Sequence, residues 1–139
     1  MTMHGIEGVL ETCLYASDLD AAERFYHGVL GLEVDSREAG RHVFFRCGAV
    51  MFLMFDPAHT IEPAPPGRRL LVPPHGAIGP GHVAFRVSQE RLPEWRDRLR
   101  RAGVDIETEV EWPGGGRSPY VRDPAGNSVE LASPTIWGL

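Results

Sequence analysis

Cysteine is scarce in this chain: Cys13 and Cys47 are the only two. They make no disulfide framework, and both fall in stretches that read as strands, so buried thiols in a reducing cytoplasm are expected. Long apolar runs are absent as well. No segment approaches the ~20 residues of a membrane span, and no cationic-then-apolar leader opens the chain. Positive charge is short, with 14 Lys and Arg against 19 Asp and Glu and a pI near 5.6, which argues against a nucleic-acid binder. What remains is 139 residues with 42% hydrophobic and 24% charged side chains. That suits a soluble, cytosolic protein of one ordinary domain or two small packed modules.

The first strand is read at Val9–Ala16, with Glu11, Cys13 and Tyr15 on one face and Leu10, Thr12, Leu14 and Ala16 on the other. Ser17 or Asp18 caps the next helix, whose stripe is Ala22, Phe25, Tyr26, Val29 and Leu30. Gly28 and Gly31 end it, a strand starts at Leu32, and Arg41–Arg46 and Ala49–Phe55 form a hairpin across Cys47-Gly48. From Asp56 to Gly81 the chain carries seven of its twelve prolines, so helix and central strand are excluded there. A loop of that length is expected to be functional.

The pattern then repeats. Gly81–Val87 reads as a strand, Leu92, Trp95, Leu99 and Ala102 mark a helix, and strand segments follow at 104–106 and 109–111. The closing hairpin runs from Ser118 to Pro134 through Asp123-Pro124-Ala125-Gly126, which has the residues of a type I turn. Each half is thus β-α-β-β-β, an internal duplication. Aligning the halves puts Glu11 opposite His82 and Phe52 opposite Glu130, four equivalent slots facing away from the helices. If the halves join into one curved sheet, Glu11, His82 and Glu130 converge in its cleft. Two carboxylates and an imidazole suit a divalent cation with positions left open for substrate.

These features resemble the vicinal oxygen chelate superfamily, the glyoxalase/bleomycin-resistance/dioxygenase fold. The resemblance rests on A-S-D-L-D-A-A-E-R-F-Y-H-G-V-L-G-L at 16–32, G-H-V-A-F at 81–85 and Y-V-R-D-P-A-G-N-S-V-E-L at 120–131. It implies an α+β fold in which paired βαβββ modules make a cupped mixed sheet with helices outside, usually in a homodimer. The family's metal ligands match His82 and Glu130 directly, while many members carry histidine where this chain has Glu11. Members with four protein ligands fit less well, since Phe52 cannot be the fourth. The tyrosine of the fosfomycin-modifying transferases matches Tyr120, but their lysine and potassium-binding loop is not evident in Gly114–Tyr120.

The expectation is therefore a single domain, 1–139, with modules at 6–57 and 81–135 joined by a Pro/Gly-rich loop at 58–80. It would be a divalent-metal enzyme (Mn, Fe, Ni, Co or Zn) chelating two oxygens of a small substrate, with isomerase, lyase, dioxygenase or thiol-transferase chemistry. Glu11, His82 and Glu130 are the expected metal ligands. Tyr120 and His75 are the candidate catalytic residues, and Tyr15, Cys13, Phe52, Ser118 and Arg122 the candidate substrate contacts. The remaining histidines, His4, His27, His42 and His59, read as surface residues. The rival is a metal-free small-molecule or antibiotic-binding protein of the bleomycin-resistance type. A homodimer is expected because modules leave edge strands, and the ligand set is then built either within one chain or with Glu11 from one chain and His82 with Glu130 from the other. Leu71 or Val72 is expected to pack on the protein and make the loop a lid carrying His75 to the cleft.

Overall fold

The computed structural model describes residues 4–139. Alternating apolar residues build two four-stranded mixed sheets of the same design. The first contains β1 (Glu11–Tyr15), β2 (Glu33–Glu38), β3 (His42–Cys47) and β4 (Val50–Phe55), in the order β1-β4-β3-β2. The second contains β5 (His82–Arg86), β6 (Thr108–Glu111), β7 (Arg117–Arg122) and β8 (Ser128–Ala132), in the order β5-β8-β7-β6. In each, the first strand runs parallel to the last and the other pairs are antiparallel. The duplicated βαβββ organisation is present, but β1 and β5 are end strands of separate sheets and do not join into one cup within the chain.

The helices cover the apolar face of each sheet. α1 (Leu19–Glu23) is N-capped by the Asp18 carboxylate and passes directly into π-helical turns at Arg24–Val29. That widening carries Phe25, Tyr26 and Leu30 onto Leu14, Phe45, Phe52 and Met54. α3 (Leu92–Arg101) has Pro93 in its first turn and buries Leu92 and Leu99 in a cluster that includes Val87, Val121, Val129 and Leu131. The two halves share one core, with the rings of Tyr26 and Phe52 lying 6.2 and 5.3 Å from that of Phe85.

A polar bolt locks the halves together. Asp123 accepts from the Tyr26 hydroxyl (2.6 Å), from the Asn127 side-chain amide (2.9 Å) and from the backbone N–H groups of Ala125 and Asn127 (both 2.9 Å). Asn127 in turn accepts from the Gly81 N–H at 2.8 Å and donates to the Tyr15 carbonyl at 3.1 Å. Gly126, at φ 88°, makes the turn possible. This single loop therefore touches the helix of the first half and the leading strands of both.

Three local expectations change. The proline-rich segment does contain one helical turn, α2 (Pro57–Thr60), because Pro57 sits at its first position, where no N–H is needed, and Asp56 caps it. Residues 104–107 are not strand, so β6 begins only at Thr108. Leu70, Leu71 and Val72 are 68%, 74% and 50% exposed, so neither Leu71 nor Val72 packs on the chain as expected.

Candidate functional site

The open face of the second sheet, away from α3, carries His82 and Glu130. Glu130 is buried at 4% exposure, and its Oε2 has no hydrogen-bond partner among the described residues. His82 stands at the start of β5, half-exposed, with its Nδ1 3.1 Å from the Ser128 carbonyl. A carbonyl only accepts, so Nδ1 carries the proton and donates. In the neutral ring Nε2 then holds a lone pair, and it lies 3.4 Å from Glu130 Oε1. Two electron-pair donors thus face each other at a distance longer than a charge-assisted hydrogen bond. A carbonyl fixing the far nitrogen of the ring is also how metal-binding histidines are commonly held.

Tyr120 pairs with Glu130 across β7 and β8, and its ring lies parallel to that of His82 at 6.0 Å. Burial first, and then the neighbouring Glu130 carboxylate, push the Tyr120 hydroxyl up to about 12. It is protonated at neutral pH and is a donor to any oxygen brought to the face.

Glu11 is exposed at the start of β1. Among the described residues, no three His, Cys, Asp or Glu side chains come together within one chain. His82 and Glu130 are adjacent and Glu11 is not with them. The fit to a divalent ion is therefore partial in a single chain: one imidazole nitrogen and one buried carboxylate, with the third donor to come from elsewhere.

The remaining candidates divide. Phe52 is 1% exposed inside the core and packs on Tyr26 at 4.9 Å, so it is not a pocket residue. The strand registers explain the correction. Phe44 pairs with Leu53 as Tyr120 pairs with Glu130, and Phe45 with Phe52 as Val121 with Val129. Glu130 is thus matched by Leu53; the sequence alignment slipped by one residue, and one residue reverses the face of a strand. Ser118 is wholly buried, its hydroxyl accepting from the Trp112 indole at 2.9 Å, so it offers nothing to a substrate. Arg122 is held by Glu107 and by the Gly126 carbonyl.

Cys13, Tyr15 and His75 do come together. The Tyr15 hydroxyl and His75 Nδ1 are 2.6 Å apart, and Cys13 Sγ lies 3.7 Å from the same hydroxyl. His42, read from the sequence as a surface residue, is part-buried and stacks on Phe44 at 3.9 Å. Its pKa is lowered by burial and then by Arg41 beside it. A histidine–aromatic alternation across the β3–β4 hairpin was the signal available for it.

Comparison with known proteins agrees with the fold. The profile of the Glyoxalase/Bleomycin resistance protein/Dioxygenase superfamily matches residues 8–131. The glutathione transferase FosA of Serratia marcescens is 32% identical over 119 residues, covering 85% of this chain and 74% of that protein. The metallothiol transferase FosB of Bacillus licheniformis is 35% identical over 57 residues, 40% of this chain and 37% of its own length. The crystal structure of a lactoylglutathione lyase from Agrobacterium tumefaciens superimposes with a TM-score of 0.91 at 41% identity, covering 98% of this chain and all of that one. With the duplicated modules and a profile match over most of its length, the chain belongs to the glyoxalase/bleomycin resistance/dioxygenase superfamily.

Proposed function

We propose that this protein is a divalent-metal-dependent enzyme acting on a small oxygen-bearing substrate. His82 and Glu130 of one copy would hold the ion, with Glu11 of a second copy as the third ligand. The observation that carries the reading is the buried Glu130 carboxylate, with Oε2 unpartnered among the described residues and Oε1 3.4 Å from His82 Nε2. A carboxylate without a counter-charge is costly to bury, and a cation between these donors removes that cost. When bound, a divalent ion supplies Lewis-acid polarisation of substrate oxygens. The chain's own part is to fix the donors through the Ser128 carbonyl, and to offer the protonated Tyr120 hydroxyl to an oxygen that gains negative charge.

Surface chemistry supports the second copy. β1 and β5 are open sheet edges, which proteins normally cover. Ile6, Val9 and Leu10 are exposed just ahead of β1. A cavity of about 690 Å³ beside β5 is walled by Leu32, Val50, Ala84, Phe85 and Trp95. Pairing β1 of one copy beside β5 of another would cover these surfaces and bring Glu11 to His82 and Glu130.

The similar proteins named above act on glutathione or another thiol, so glutathione is the first co-substrate to examine. The test is metal content of protein purified without chelator, for wild type and Glu130→Ala. The reading predicts about one ion per chain, lost in the variant. Wild-type protein without metal would favour the metal-free binding function, and equal metal in both would remove Glu130 from the site.

A further inference from the structure

The long loop between the modules returns to the first sheet at one residue, His75. Its backbone N–H donates to the Thr60 carbonyl at 2.9 Å. Its ring packs edge-on against Phe55, with centroids 4.6 Å apart, and its Nδ1 meets the Tyr15 hydroxyl at 2.6 Å. Tyr15 is itself fixed, because Asn127 of the inter-module bolt holds its carbonyl.

The chemistry of this pair is directional. Burial pushes the Tyr15 hydroxyl up to about 12, so it stays protonated. Cys13 donates to the hydroxyl oxygen, and the hydroxyl proton is left to go to His75 Nδ1. With the hydroxyl proton on that contact, His75 carries its own proton on Nε2 and presents it as a donor in fixed orientation. Arg41 stands beside it, its guanidinium 5.6 Å from the centroid of the same Phe55 ring. His75 and Arg41 share a cavity of about 230 Å³ with Arg68, Thr60, Leu70 and Val72. Two carboxylates, Glu38 and Glu62, also line it, and Glu38 is occupied by Arg68 at 2.9 and 3.2 Å.

Tyr15 lies on the same face of β1 as Glu11, four residues on, which is about 13 Å along a strand. A ligand whose reactive end sits at Glu11 reaches His75 only if it is extended and has an oxygen at its far end. We propose that His75, positioned by Tyr15 and accompanied by Arg41, is a specificity-determining residue that binds the carboxylate at the far end of an extended thiol co-substrate. This rests on the metalloenzyme reading above and adds to it the residues that select for ligand length.

Calorimetric titration of the metal-loaded protein with glutathione, and with cysteamine as a thiol lacking the carboxylate end, tests the assignment. His75→Gln and Tyr15→Phe should each weaken glutathione about 10- to 150-fold, the range for one hydrogen bond to a charged group, and leave cysteamine unchanged. In nitrogen-resolved NMR spectra, His75 should carry its proton on Nε2 in the wild type and lose that preference in Tyr15→Phe, which a merely structural tyrosine would not produce. Equal losses for both thiols, unchanged glutathione binding in the variants, no glutathione binding by the wild type, or a proton on Nδ1 in the wild type would each overturn the proposal. None of these outcomes bears on metal content, so the parent reading stands or falls separately on Glu130→Ala.

Discussion

Tyr26 shows how a single hydroxyl decides an assembly. It is buried, and burial followed by the charge of Asp123 raises its pKa far above that of an ordinary tyrosine, so it is always a donor. Tyr26→Phe keeps the ring contacts with Phe45, Phe52 and Phe85 and removes only the bond to the carboxylate. We expect a loss of about 1.5–3 kcal/mol in urea unfolding, the range for hydrogen bonds to charged groups. A loss below about 0.5 kcal/mol would mean that the three remaining donors satisfy Asp123 without it. His82 and Glu130 follow a different logic. There the partners do not satisfy one another, and the deficit marks the site.

At the scale of elements, much of the architecture was legible. The Ser-Asp cap, the Asp-Pro-Ala-Gly turn and the alternation in β5 and β8 each declared a local structure that survived folding, whereas the 3.6-residue stripe through Phe25 and Tyr26 gave the buried residues but not the π-helical turns that carry them. The metal slots were less secure, because they depended on register. In β4 (Val-Met-Phe-Leu-Met-Phe) every position is apolar, so no polar alternation marks the inward face and the register against β8 is open by one residue. Phe52 was misplaced for that reason, whereas Glu130 stands between Val129 and Leu131 and fixes its own face. Ser118 was misread because its partner, Trp112, lies six residues away across a Gly-rich turn, which no strand pattern encodes. The pairing of Tyr15 with His75 spans 60 positions and has no sequence signature.

The loop itself gives an element-scale prediction. Arg68 ties it to β2 through Glu38, whose pKa is lowered chiefly by that hydrogen bond. A carboxylate depressed in the fold stabilises it at pH above its unfolded value, near 4.5, and the contribution is lost as pH falls through the lower, folded value. Hydrogen exchange at the Arg68 amide, corrected for intrinsic rate, should therefore accelerate in acid below about pH 4.5 in the wild type. In Glu38→Gln it should already be fast at pH 7 and show no such transition. Equal protection in the two proteins at pH 7 would remove the ion pair as the tether.

For the whole molecule, the separation of Glu11 from His82 and Glu130 within one chain is the feature on which the account turns. Of the four end strands, β1 and β5 lead the two modules, and with the exposed apolar residues beside β1 they favour a second copy as the complement. A 15.4 kDa chain should then run at twice its mass in light scattering. The central claim is tested most directly by metal content in a mixture of two inactive variants, Glu11→Ala and Glu130→Ala, exchanged at equal concentration under mild denaturant. Each variant alone should bind no ion. Random pairing makes half of the dimers mixed, and in each of those one site has all three ligands while the other has lost two. The account predicts that the mixture recovers about a quarter of the wild-type metal. No recovery, with full binding by the wild type and subunit exchange confirmed by mass spectrometry, would contradict a site shared between two copies.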